Sequence, residues 1–223
     1  MTQPSPAVNF GDLRCLQPID ENFGCGRGRP IDRYYIEGFL ERHAADVRGR
    51  VLEVAEDRYT MRFGSDRVTR ADVLHVASIS ERTTLVADLN QPRALPPSCF
   101  DCFICTQTLQ YVFSLDEAVR NIRRTLKPGG VLLLTVPGIS QISIYDRQQW
   151  GEHWRFTPQS VQRLLQAGFA DVAVESHGNV LAATALLQGL ACEDLTRKEL
   201  EAQDDRYPVT VTARAVAGAS APS

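Results

Sequence analysis

The chain has 223 residues, 43% of them hydrophobic, with a formal charge of -3 and a pI near 5.8. One α/β domain of this size buries a sufficient core without disulfides or metal. The mild acidity argues against a nucleic-acid surface, which needs a basic patch, and no apolar run reaches the ~18 residues of a membrane span. The opening M-T-Q-P-S-P-A-V-N-F has neither a charged n-region nor an apolar h-region, so a cytoplasmic location is expected.

Residues 1–20 are polar and expected to be loose, and 218–223 to fray as a disordered tail; the domain proper is expected over 21–217. Pro30 opens a helix through Leu40, with Ile31, Tyr35, Ile36, Phe39 and Leu40 on one face. Short apolar strands follow at 50–54, 73–76, 84–88, 100–105 and 131–136. Ser114 and Glu117 read as a capping box for a helix over 115–126. Thr157 with Pro158 opens another, ended by Gly168. Strands at 171–175 and 207–215 complete the set, the latter marked by V-T-V-T alternation. Between these two, residues 179–206 form a helical insertion, with Asn179 and Thr196 as N-caps. Its apolar residues Val180, Ala183, Leu187 and Leu190 suggest a helix that packs over the carboxyl end of the sheet or makes a subunit contact, as in a homodimer.

Cys99, Cys102 and Cys105 have a spacing that invites an iron-sulfur reading. The position that should hold a fourth cysteine is Leu109, and the segment reads as a buried strand, so the thiols are taken as core hydrophobes and no metal is expected. Phe23-Gly24-Cys25-Gly26-Arg27-Gly28 looks like a phosphate-cradling loop, but no strand precedes it. It reads instead as a flexible entry to the Pro30 helix, able to close over a site with Arg27, Arg29 and Arg33.

The stretch from Phe100 to Val136 is a strand-helix-strand unit joined by Lys127-Pro128-Gly129-Gly130. Such a unit needs a parallel sheet, and Thr106 and Gln107 then lie at a strand's carboxyl end, where ligands bind. F-D before an apolar strand, a helix, then L-K-P-G-G and a strand resembles the second half of class I S-adenosylmethionine-dependent methyltransferases. The resemblance covers most of 49–215. It implies one Rossmann-like seven-stranded α/β fold, a mostly parallel sheet with one antiparallel strand, and S-adenosylmethionine as cofactor.

On that resemblance the cofactor meets Glu53, Ala55, Glu56 and Asp57 after the first strand, Ser78 after the second, Asp88 and Leu89 after the third, and Thr106 and Gln107 after the fourth. The family's G-x-G-x-G is absent: its glycine positions hold Ala55, Asp57 and Tyr59. Two readings stay open. Either the carboxylates hold the cationic end of the cofactor in a different way, or the cofactor is lost and the chain is a methyltransferase-like scaffold. A nicotinamide dehydrogenase is disfavoured, since G-x-G-x-x-G is missing.

Trp150-Gly151-Glu152-His153-Trp154-Arg155-Phe156-Thr157 is similar to a segment that covers the acceptor pocket in small-molecule methyltransferases. Trp150, Trp154 and Arg155, with Arg33, Tyr34 and His177, are the expected acceptor contacts; Trp150, Trp154 and Phe156 read equally as anchors that pack the loop down. Histidine is the natural base, its ordinary pKa of ~6.5 lying near working pH, and His153 is the candidate by its position. The wider pattern, R-G-x-P-I-D-R-Y-Y-I-E through W-R-F-T to G-N-V-L-A-A, resembles a bacterial group associated with glycan assembly. It implies a small-molecule or glycan acceptor methylated on oxygen.

Overall fold

A computed structural model describes residues 9–78 and 80–218; Met1–Val8, Ile79 and the tail 219–223 lie outside the described residues. So most of the expected frayed tail, and the first part of the expected loose segment, fall beyond them.

Seven strands form one sheet in the order β3-β2-β1-β4-β5-β7-β6. They are β1 (Gly49–Val54), β2 (Val68–His75), β3 (Leu85–Val86), β4 (Phe100–Thr106), β5 (Leu126–Pro137), β6 (Asp171–His177) and β7 (Thr210–Val216). β1 pairs with β4 in parallel, Val51 opposite Cys102 and Glu53 opposite Ile104. β1–β2, β2–β3 and β4–β5 are parallel too, and β7 runs antiparallel to both β5 and β6. This is the seven-stranded architecture that the sequence implies.

The pleat sorts alternate residues of β4 to the two faces. Cys102 and Ile104 join Ile36, Phe39 and Leu40 of α1 (Ile31–Arg42) on one side. Phe103 and Cys105 pack on the other against α2 (Leu115–Thr125) and α4 (Pro158–Gln166), through Ala118, Val119, Ile122, Val161 and Leu165. Cys102 and Cys105 are fully buried and burial raises their thiols, so they behave as core hydrophobes, and no metal-holding cluster occurs among the described residues.

Local signals held unevenly. Thr157 with Ser160 and Thr196 with Glu199 form reciprocal capping boxes, and Asn179 Oδ1 accepts from the Ala182 amide at 3.0 Å. Ser114 makes no side-chain cap: its own N–H donates to Asn90, and Glu117 turns to Arg120 instead.

The insertion carries α5 (Val180–Leu187) and α6 (Arg197–Glu201). Ala182, Ala183, Ala185 and Leu186 pack on Ile31 and Tyr35 of α1, beside Leu200 and Val209. The apolar stripe expected from sequence is therefore rotated: Ala183 is buried, but Val180, Leu181 and Leu187 are exposed. The residues ahead of the domain are also less loose than expected, because the amides of Ile19 and Asp20 both donate to the Gln188 carbonyl.

These two leucines give a paired test. Leu186→Asp places an unpaired charge in the α1–α5 core and should cost more than about 3 kcal/mol. Leu187→Asp should stay within about 0.5 kcal/mol. Urea denaturation of both variants measures the difference, and equal losses would contradict the rotated face.

Candidate functional site

β1 and β4 are neighbours, yet the sheet grows outward from them in opposite directions, to β2 and to β5. This is the switch point of an open α/β sheet, where strand ends leave a crevice. A trough occupies it in two compartments that share Val54, Ala55, Thr106, Gln107, Tyr111 and Asp146. One, of about 300 Å³, faces α1 and the glycine-rich entry segment. The other, of about 700 Å³, faces the ends of β2 and β3.

The loop after β1 is held by Glu53. This residue is 2% exposed, and its two oxygens accept from the backbone amides of Tyr59 at 3.1 Å and Thr60 at 2.7 Å. Those amides favour the carboxylate, but burial outweighs them and pushes the group up to about 7. Ala55, at the first glycine position of the family pattern, has a φ of 71°. The backbone thus keeps the left-handed turn that glycine would supply, with an alanine in it. The chain then enters a helical turn, and Thr60–Gly64 is wound as a single π-turn. Gly64 sits where a Cβ would lie 2.3 Å from a Val68 methyl and 2.9 Å from one of Val47, which explains the glycine there.

At the far side, Thr106 and Gln107 end β4 and line both compartments. Gln107 has a φ of 45°, and its buried Nε2 has no partner among the described residues. Asp88 and Leu89 line the larger compartment; one Asp88 oxygen receives the backbone and side-chain N–H groups of Asn90, both at 2.9 Å.

The remaining expected residues divide. Ala55, Glu56, Arg33 and Trp150 line the trough. Asp57 turns away to Arg82 at 3.1 Å, and Ser78 is exposed and lines neither compartment. His153 is exposed, packs edge-on to Phe113 and also lies outside the trough, so the geometry does not support it as the base. Tyr34 points to Glu201 at 3.3 Å. His177 is buried against Tyr35, shares a hydrogen bond with Thr212 and is lowered to about 4 by burial, away from the trough.

Trp154 and Arg155 are anchors. The indole N–H donates to the Val112 carbonyl at 3.0 Å. The Arg155 guanidinium donates to the carbonyls of Ser140, Gln141 and Trp154 and pairs with Glu152 at 2.7 Å. It thereby shapes the segment that carries α3 (Ile144–Trp150) over the trough.

Sequence reasoning missed His75, Tyr111 and Asp146. His75 is the last residue of β2, lines the larger compartment and meets Trp150 edge-on at 5.2 Å. Its place at the strand end was the available signal. Tyr111 donates to Asp146 at 3.2 Å across the trough.

The glycine-rich entry segment lines the smaller compartment through Phe23 and Cys25. Its glycines serve contact with the insertion: a Cβ on Gly24 would lie 2.6 Å from the Leu190 carbonyl oxygen, and one on Gly28 2.1 Å from the Glu193 carboxylate. Arg27 forks onto Asp194 at 3.0 and 2.7 Å.

Two stability tests follow from the loop. Ala55→Gly should stabilise the fold by about 1 kcal/mol, by relieving the left-handed alanine, as read from the urea midpoint. Glu53 should set a pH slope. Its folded value of about 7 exceeds the ordinary 4.5, so its contribution is complete below pH 4.5 and is lost as pH rises through 7. The loss is about 3 kcal/mol. Glu53→Gln should flatten this slope between pH 5 and 8; an unchanged slope would show that Glu53 does not carry it.

Residues 22–134, half of the chain, match the family model described as "Methyltransferase domain". The mRNA cap guanine-N(7) methyltransferase of Caenorhabditis elegans is 29% identical over 126 residues, 54% of this chain and 32% of the relative. The chain therefore spans about a third of that relative's length. A SAM-dependent methyltransferase from Archaeoglobus fulgidus superposes with a TM-score of 0.55 at 14% identity, covering 82% of this chain and 94% of that one. The N-methyltransferase NodS from Bradyrhizobium japonicum WM9, in complex with S-adenosyl-L-homocysteine, gives 0.55 at 14% identity, covering 90% and 94%. At such identities the structural likeness speaks for the fold. The family match joins that fold to a switch-point trough built from the matched strands, and the chain belongs to the methyltransferase-domain family.

Proposed function

We propose that the trough holds S-adenosylmethionine across both compartments and that the chain transfers its methyl group to an oxygen of a small-molecule or glycan acceptor. The observation that carries this reading is the trough's continuity at the switch point, with the left-handed turn at residue 55 retained although its glycine is not.

The residues present fit such a ligand. The larger compartment supplies an adenosine end: Asp88 offers a carboxylate oxygen to an amine, Leu89 an apolar wall, and His75 with Trp150 an aromatic corner. The smaller compartment supplies the amino-acid end. Asp32 and Arg33 line it together at the start of α1, an acid and a base for a zwitterion. The unpartnered Gln107 Nε2 offers a donor between them. The cofactor, when bound, supplies a methyl group on a positively charged sulfur.

The protein's own part is positioning and exclusion of water. Phe23 and Tyr59 close the α1 side, and Tyr111 closes the β4 side. Asp146 lines both compartments, and Tyr111, whose hydroxyl burial keeps protonated, donates to one of its oxygens. The acceptor enters between the entry segment and the 140–152 segment. A cytoplasmic location and a homodimer accord with this reading, and no described helix is long and apolar enough to cross a membrane.

Calorimetric titration with S-adenosylmethionine should show micromolar binding; silence at millimolar ligand would favour a scaffold that has lost the cofactor. Asp88→Ala should weaken binding by about 1–3 kcal/mol. Unchanged affinity in a folded variant would reduce Asp88 to the turn cap that its bonds to Asn90 make it.

A further inference from the structure

Five carboxylates and two guanidiniums line the smaller compartment. Their local partners reduce that excess unevenly. Glu53 is turned into its loop, Glu56 sits 3.4 Å from Arg58, and Glu152 pairs with Arg155. Asp32 accepts from the backbone N–H of Arg33 at 2.7 Å. Asp146 has no cation among its bonded partners, which are the Tyr111 hydroxyl and, at its backbone N–H, the Ser143 hydroxyl.

A second observation concerns a different side chain. Gln110 is 3% exposed and also lines this compartment. Its Nε2 donates to the Gln107 carbonyl at 3.0 Å, while its buried Oε1 has no partner among the described residues. A buried carbonyl oxygen left unpaired costs about 1–3 kcal/mol unless a ligand or water donates to it. The wall made by Tyr111, Asp146 and Gln110 thus offers hydrogen-bond acceptors and negative charge, with no cation bonded to it among the described residues.

We infer that the acceptor is amine-bearing, an amino sugar or similar small cation, whose ammonium group is held by Asp146 and Gln110 Oε1. An ammonium group carries three donors and a positive charge, which meets both a carboxylate and a neutral carbonyl oxygen. A neutral sugar satisfies the oxygens but leaves the charge of Asp146 uncompensated. An acidic sugar is repelled by it. The ammonium is a recognition handle here, and the methylated atom is a separate matter. This inference rests on the proposed methyl transfer and names the acceptor that the same site takes.

The test uses the full chain loaded with S-adenosylhomocysteine, whose binding is measured first. Failure at that step counts against the proposed function and not against the acceptor class. The loaded protein is then titrated calorimetrically with glucosamine, glucose and glucuronate. Glucosamine should bind at least tenfold more tightly than either of the others. In Asp146→Asn the ratio of glucosamine to glucose affinity should fall to about twofold or less, a change that general loosening of the site does not produce. Equal affinities, a preference for glucuronate, no glucosamine binding, or an unchanged ratio in Asp146→Asn would each overturn the inference. If that variant fails to fold, the selectivity of the unmodified protein decides alone.

Discussion

A carboxylate shut between two backbone amides governs the shape of this site. Glu53 leaves the sheet at the end of β1, and its side chain bends back to the amides of Tyr59 and Thr60. The loop between is therefore closed at both ends, and Ala55 is driven into a left-handed turn that an alanine avoids when free. Once the loop is fixed, the floor of the trough is fixed. The trough's other boundary, at the end of β4, is set by parallel pairing with β1. Burial leaves Glu53 near its midpoint at neutral pH. The anchor of the loop is thus electrostatically costly, and its two amide bonds offset part of that cost.

This explains how the site can differ from the family's glycine pattern and still keep its form. Glycine at such a turn removes a steric penalty; it does not create the turn. Here the turn is imposed by the hydrogen bonds around it, so residue 55 can carry a methyl group at a penalty of about 1 kcal/mol. Asp57 and Tyr59 need no glycine either. Asp57 turns out to Arg82, and Tyr59 lies in an ordinary helical conformation stacked on Phe63.

Most of the fold was legible because its strands alternate or run apolar at the right lengths and because the turn at 127–130 delimits a crossover unit. The site was legible only where backbone topology places it. Thr106, Gln107, Asp88 and Ala55 sit at strand ends, and strand ends can be read from sequence. His75 was passed over because V-L-H-V reads as one buried run, although its last strand residue faces the trough. Trp154 and Arg155 are hard to place from sequence for a different reason: a dense aromatic and basic loop has the same composition whether it grips a ligand or grips its own backbone. The face of α5 was misread because V-L-A-A-T-A-L-L is apolar nearly all round, so periodicity selects no side. Packing against Ile31 and Tyr35 selects it, and that partner lies about 150 residues away in the chain.

The contact between the entry segment and the insertion has a consequence for how the molecule is assembled. The floor of the trough comes from one continuous stretch, β1 through β5, whose contacts can form as soon as that stretch has emerged. The wall on its α1 side includes Phe23 and Cys25, in a segment seated through Leu190, Glu193 and Asp194. Those partners appear only after β6 has been synthesised. During vectorial synthesis the floor is complete while the wall is still open, because contacts of such sequence separation close late. The two halves are also separable in heredity. Substitutions in 189–194 and 23–29 can reshape what enters the trough without touching the strands that form its floor.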